Sequence, residues 1–285
     1  MGLTKTSVRH DGFDATLFPA ADRKGKVVIT LSGSEGGLRH AEKMARHLQG
    51  QGMPALALGY FGTGETQEFL SRVPLEYVDA AIGWLRGRGY QRIAVEGLSK
   101  GAEYAAAAAT TFSEISCAVL KTPAWFYGEG IMKGAPSGAS CWTYRGQELP
   151  YTPYRERSFP SKRDILRRAE YDILSLNAKR YVRQASAVPI ERIAGPVLFF
   201  STEADTVWPS SESAKKLEDR LVREGFAYPY PYEHVCFDFM SHLMLEDANR
   251  LVRVLFRSER EHPRECAEER ASMSSKMHDW LERVW

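Results

Sequence analysis

Ser99 stands in Gly97-Leu98-Ser99-Lys100-Gly101, between a strand-like run, RIAVEG (92–97), and an alanine-rich helix former, GAEYAAAAAT (101–110). Gly-x-Ser-x-Gly at a strand-to-helix junction predicts a sharp turn that lifts the serine hydroxyl above a sheet. The flanking glycines relieve the clashes that such a turn creates. The same turn puts Ser99 at a helix N-terminus, where free N–H groups and the helix dipole favour developing negative charge. That is the chemistry of a nucleophile for acyl transfer. A serine that merely caps the helix is the competing structural reading, and the strand-turn-helix context favours reaction.

A serine nucleophile needs a base, an acid that orients the base, and an oxyanion hole. With this type of turn the partners follow in the order serine, acid, histidine. FFSTEADTVWPSS (199–211) offers Glu203 and Asp205, and Asp205, further into the loop, is the expected acid. EHVCFDFMSHLML (233–245) offers His234 and His242. His234 falls inside a strand-like run, where a histidine is more often structural, so His242 is the expected base. The backbone N–H of Lys100 is the first expected oxyanion donor. The second comes from the glycine-rich loop LSGSEGG (31–37), with Ser34 expected and Glu35 next.

These residues need a scaffold that brings distant loops to one edge. The chain supplies alternating elements. KVVITL (26–31), PALALGY (54–60), RIAVEG (92–97), ISCAVLK (115–121), PVLFFST (196–202) and YPYPYEHVCF (228–237) read as strands. Ala41, Met44, Ala45 and Leu48 recur at helical spacing, and further helices are expected over 74–89, 99–110, 210–223 and the C-terminal stretch. Such alternation predicts an α/β fold: one domain with a mostly parallel central sheet and helices on both faces. Residues 124–189 break the rhythm and are expected to form a cap-like insertion over the C-terminal edge of the sheet, where such sheets keep their sites.

The 285 residues carry a net charge of +2, so no global field points to nucleic acid or to a membrane surface. Basic residues do outnumber acidic ones between Lys121 and Arg192. Cys117, Cys141, Cys236 and Cys266 form neither a CxxC pair nor a metal-ligand spacing, which fits reduced thiols in a cytoplasmic protein. No secretory signal opens the sequence, and no apolar run reaches the roughly 18 residues of a membrane span. No metal or cofactor is expected, and the oligomeric state is not legible.

Several stretches resemble the C-terminal domain shared by acyl-CoA thioester hydrolases and bile acid-CoA:amino acid N-acyltransferases. GLSKGAEYA resembles the nucleophile motif of that family. VPLEYVDAAIGWL (73–85), CWTYRGQELPYTP (141–153) and VPIERIAGPVLFFSTEADTVWPSS (188–211) are similar to further family segments. The resemblance implies an α/β-hydrolase fold with Ser99, Asp205 and His242 as its triad. Ala102 stands where the family usually has a second glycine, and Met240-Ser241-His242 where Gly-His is common. The first strong strand opens at Lys26, so the resemblance implies a chain without the β-sandwich domain of the animal thioesterases. The family's amino-acid transferases use a cysteine nucleophile, so a serine points to hydrolysis of an acyl-CoA thioester. Esters, lactones, and transfer to an amine or alcohol are the alternatives, with a ligand-binding homologue last. Trp125, Phe126, Tyr127, Trp142, Tyr144, Tyr151 and Tyr154, with Phe61, are candidates for an apolar acyl pocket, and Glu35 is a further candidate for substrate contact. Arg155, Arg157, Lys162, Arg163, Arg167 and Arg168 are candidates for the phosphates of coenzyme A.

Overall fold

The structure, a computed structural model, describes residues 2–20, 25–154, 182–224, 230–247 and 250–285. Its main sheet has eight strands in the order β1-β2-β4-β3-β6-β7-β12-β13. They are β1 (Thr4–Lys5), β2 (Asp14–Phe18), β3 (Lys26–Leu31), β4 (Ala55–Gly59), β6 (Arg92–Leu98), β7 (Ile115–Lys121), β12 (Val197–Thr202) and β13 (Tyr232–Phe237). From β4 to β13 all neighbours run parallel, while β1 and β2 are antiparallel additions at one edge. The expected elements begin at Lys26, yet these two strands precede it. The DATLF run of β2 is nearly all buried and shows no polar-apolar alternation, so its pattern carries little strand signal.

The helices are α1 (Val8–Asp11), α2 (Arg39–Gly50), α3 (Glu76–Arg86), α4 (Lys100–Thr111), α5 (Ser210–Arg223), α6 (Arg250–Leu255), α7 (Arg257–Glu261) and α8 (Pro263–Asp279). Side chains of a strand alternate between faces, and the core divides accordingly. Val27, Ile29, Leu31, Ile93 and Val95 pack with Val78, Ala81 and Ile82 of α3, the alanines of α4, and Leu217 and Leu221 of α5. Val28, Ala94, Val119 and Phe200 pack on the other face with Ala41, Met44, Ala45 and Leu48 of α2 and with Met273 and Met277 of α8. Both faces are covered, as a parallel sheet requires. Among the described residues no helix is long and apolar enough to cross a membrane.

One feature corrects the sequence reading, and a second adds detail to it. Pro74 does not open α3. It lies in the two-residue strand β5 (Val73–Pro74), and the helix starts at Glu76. Residues 129–148 form four short strands: β8 (Glu129–Met132), β9 (Ala135–Ser140), β10 (Trp142–Tyr144) and β11 (Gln147–Glu148). β10 joins β5 in a small parallel pairing, so the first part of the supposed insertion is tied into the body beside α3. The second, basic part lies outside the described residues, and with it Arg155, Arg157, Lys162, Arg163, Arg167 and Arg168.

The turn after β6 depends on bare backbone. A methyl group on Gly101 would run into the carbonyl oxygens of Leu31 and Ser32, and one on Gly97 into the Gly101 carbonyl. α4 therefore starts in direct backbone contact with the end of β3, and its buried alanines continue that close approach.

A charged cluster also breaks the apolar rule of the sheet. Lys121, fully buried at the end of β7, pairs with Glu96 of β6 at 2.5 Å and with Glu246, from the chain after β13. The Glu96 contact is an ion pair without a well-directed hydrogen bond, since neither Glu96 oxygen has an aligned donor. Burial pushes the Glu96 carboxyl up to about 7. The Lys121 ammonium opposes that rise, and the neighbouring Glu246 adds to it.

Two outcomes are expected. Gly101→Ala overpacks a rigid contact, which costs about 1–3 kcal/mol, so the melting temperature falls by about 2–5 °C. An unchanged melting curve would refute the close-contact account. For Glu96 the folded-state pKa lies above the ordinary value of 4.5. Between those values the folded protein holds a proton that the unfolded chain has released, so this group makes stability fall as pH rises through the window. Glu96→Gln removes that slope. Urea midpoints at pH 5 and pH 8 should show the variant gaining on the parent at the higher pH, and a constant difference would count against it.

Candidate active site

Ser99 adopts φ +57° and ψ −120°, a region L-residues enter only under constraint. Its N–H donates to the Lys121 carbonyl at 3.0 Å, and its own carbonyl accepts from Ala102 and Glu103 in the first turn of α4. The side chain makes no capping bond to the helix. Instead Ser99 Oγ lies 2.8 Å from His242 Nε2. His242 Nδ1 lies 2.8 Å from Asp205 Oδ2 and 3.0 Å from Oδ1. An ionised carboxylate can only accept, so Nδ1 carries the proton, and Nε2 is left to accept from the serine hydroxyl. The structure thus brings the expected serine, acid and histidine together.

Each partner is fixed by its own loop. Asp205 follows β12, and its Oδ1 also accepts the N–H groups of Val207 and Trp208 at 2.9 and 3.1 Å. Trp208 stands edge-on to the His242 ring, with centroids 5.3 Å apart and planes at 83°. Its indole N–H donates to the Thr122 carbonyl at 3.0 Å. His242 follows β13 in a segment held from the α7–α8 side. Glu269 accepts the N–H groups of Asp238, Phe239 and Met240. Glu259 accepts both the N–H and the hydroxyl of Ser241, and is itself paired with Arg270. The Ser241 hydroxyl, just before the histidine, thus has a buried partner.

The rejected alternatives have other occupations. His234 bridges Ser201 Oγ at 2.6 Å and Glu218 at 2.9 Å, a structural role on an edge strand. Glu203 contacts the Cys236 thiol.

On the oxyanion side, a methyl group on Gly33 would sit 3.5 Å from Ser99 Cβ, which places the loop after β3 against the serine. The Tyr60 hydroxyl donates to the Ser32 and Gly33 carbonyls at 2.7 and 2.9 Å. In a trans peptide the N–H points opposite to the C=O, so the Ser34 N–H points away from Tyr60. Among the described residues neither it nor the Lys100 N–H at the start of α4 has a hydrogen-bond partner. Ser99 is 7% exposed and His242 3%. Hydrogen-bond donors aimed into so dry a site act with little screening.

The substrate candidates divide. Glu35 is at the loop tip, bonded to the Gly33 N–H and to His40. Phe61 is buried, and its ring lies where a side chain on Gly36 would sit. Trp142 is fully buried, with its ring tilted against Tyr104 and its indole N–H donating to Glu103, so it has no face for a ligand. Tyr144 packs on Phe112 at the far end of α4 from Ser99. Trp125 lies under Lys216 of α5 and lines a separate cavity of about 250 Å³. Arg155 lies outside the described residues.

The sequence reading missed Trp208, Thr122 and the buried carboxylates. Glu103 accepts the Gly128 N–H and the Trp142 indole and pairs with Lys100, so the lysine and glutamate of the serine motif anchor the 128–142 strands. The available signal was a charged residue inside an apolar run, which when buried must find a partner.

The geometry can be set beside known proteins. Rat acyl-coenzyme A thioesterase 1 is 26% identical over 245 residues, which cover 85% of this chain and 54% of the rat protein. Mouse acyl-coenzyme A amino acid N-acyltransferase 1 is 28% identical, over 83% of this chain and 56% of its own length. The chain thus spans about half the length of these curated relatives. Among solved structures, an α/β hydrolase from Penicillium aligns over 99% of this chain and 98% of its own, with a TM-score of 0.59 and 15% identity, a likeness of fold. Residues 73–246 match the family described as BAAT/acyl-CoA thioester hydrolase C terminal, from β5 before α3 to four residues past His242. The chain, an α/β-hydrolase fold from edge to edge, therefore belongs to the BAAT/acyl-CoA thioester hydrolase C-terminal family.

Proposed function

We propose that this protein is a serine hydrolase that cleaves acyl-CoA thioesters through an acyl-enzyme on Ser99. One observation carries the reading: a serine hydroxyl on a strained turn, 2.8 Å from an imidazole whose other nitrogen faces a buried aspartate. His242 takes the proton of Ser99 as its oxygen attacks the thioester carbonyl. Asp205 keeps the ring in the required tautomer and favours the imidazolium that forms. The Lys100 and Ser34 amides receive the oxyanion. The thiol leaves with the proton from His242, and a water activated by the same ring then releases the acid.

Ala124, Tyr154 and Trp208 form a small apolar cluster that borders His242 and the Lys100 side chain. We assign the start of the acyl chain to this wall. Relatives named thioesterases support a thioester substrate. A relative named an N-acyltransferase supports a second reading, in which an amine replaces water. The unpaired cysteines fit a reducing compartment, the cytoplasm.

The test is a panel of acyl-CoAs and oxygen esters, with free thiol and free acid measured for the parent and for Ser99→Ala. The parent should release thiol and acid in equal amounts, and the variant should lose roughly a thousandfold or more in rate. Equal thiol release by both proteins would overturn the nucleophile. Turnover of oxygen esters alone would overturn the substrate class. Thiol release with acylated amine in place of acid would select transfer.

A further inference from the structure

Lys121 ends β7 and Thr122 follows it, between the strand that leads to Ser99 and the strand that leads to Asp205. Lys121 is in register with Leu98 on one side and Phe200 on the other. It touches the nucleophile loop directly, because its carbonyl accepts the Ser99 N–H at 3.0 Å. It touches the histidine loop through its ammonium, which pairs with Glu246, four residues beyond His242. Thr122 reaches the acid loop. It sits at φ +46°, a conformation that β-branched residues rarely adopt, and its carbonyl accepts the indole N–H of Trp208 at 3.0 Å. Trp208 in turn donates to Asp205 and faces the His242 ring. Strain of this kind persists where the surroundings over-determine it, and it collects at functional sites. Two neighbouring residues therefore join the three loops that carry the triad.

The second carboxylate on Lys121 is the informative one. One carboxylate is enough to neutralise the buried ammonium, and Glu96 of the adjacent strand already lies against it. A further buried carboxylate adds desolvation without being needed for charge. Glu246 does supply a tether of fixed length from the sheet to the histidine loop. Resting on the hydrolase reading above, we propose that Lys121 is a positioning residue for the triad and Glu246 its counterpart on the histidine loop, their contact setting the reach of His242 Nε2 to Ser99 Oγ.

Reach and charge separate in two substitutions. Glu246→Asp keeps the charge and shortens the tether by one methylene. Glu246→Gln keeps the length and an acceptor oxygen, and Glu96 is then the ionised partner of Lys121. The readouts are the rate at which a fluorophosphonate labels Ser99, and kcat and KM for the thioester, each normalised to the folded fraction from circular dichroism. Misplacing a reacting group by about 1 Å costs up to roughly a hundredfold. Glu246→Asp should therefore slow labelling and kcat by about tenfold or more, with KM within about threefold. Glu246→Gln should stay within about threefold of the parent. Labelling of Glu246→Asp at the parental rate, or Glu246→Gln slower than Glu246→Asp, would overturn the positioning role. A parent that the probe does not label removes the nucleophile and this inference together. A parent that is labelled but turns over no thioester loses only the substrate assignment, and the labelling rates still decide.

Discussion

At Ser99 the backbone is held at φ +57°, and the rest of the site is arranged around that one constraint. The turn exists because α4 begins against the carbonyls of Leu31 and Ser32, a distance that only glycine at position 101 permits. That contact sets three things at once. It aims the serine hydroxyl off the end of β6, keeps it from capping its own helix, and leaves the first N–H groups of α4 beside the loop after β3. The run of buried alanines in α4 belongs to the same constraint, since larger side chains would push the helix away from the sheet.

Buried carboxylates hold the loops around this turn. Glu103 ties the 128–142 strands to α4, and Glu129 accepts the N–H groups of Gly138 and Tyr154. Glu259 and Glu269 secure the backbone before His242, and Glu246 secures the backbone after it. Loops carry peptide groups that no sheet or helix satisfies. A carboxylate that accepts several N–H groups at once fixes a loop with strong, charge-assisted bonds. Burial would normally discourage the charge on Glu259, and the Arg270 guanidinium and Ser241 hydroxyl hold its carboxyl below the ordinary value. The imidazole thus stands on a segment anchored at both ends.

The main-sheet strands from β3 onward were legible because they are short apolar runs bounded by glycine, proline and polar residues, and the amphipathic helices because their apolar positions recur every three or four residues. β2 was not legible, since both its faces are covered and its residues do not alternate. The small strands of 129–148 were not legible either. Their pairing with Val73–Pro74 is made between segments far apart in the chain, and nothing local encodes it. Trp142 and Tyr144 were legible as aromatics, but which surface an aromatic covers is a matter of packing. Trp142 proved to be core, with its indole satisfied by Glu103.

The sequence alone determined the Gly-x-Ser-x-Gly turn at Ser99, the alternation of strands and helices, and the order in which Ser99, Asp205 and His242 follow along the chain. Each of these is written in residue type, spacing or chain direction. The sequence favoured Asp205 over Glu203 and His242 over His234, and only the tertiary structure brought the favoured pair to Ser99 and gave the other two different partners. That outcome depends on which loops converge at the end of the sheet, and that convergence is set by contacts between residues remote in sequence. For the same reason the charges inside β6 and β7 stood in plain view as letters, while their partner on the histidine loop emerged only once the chain had folded.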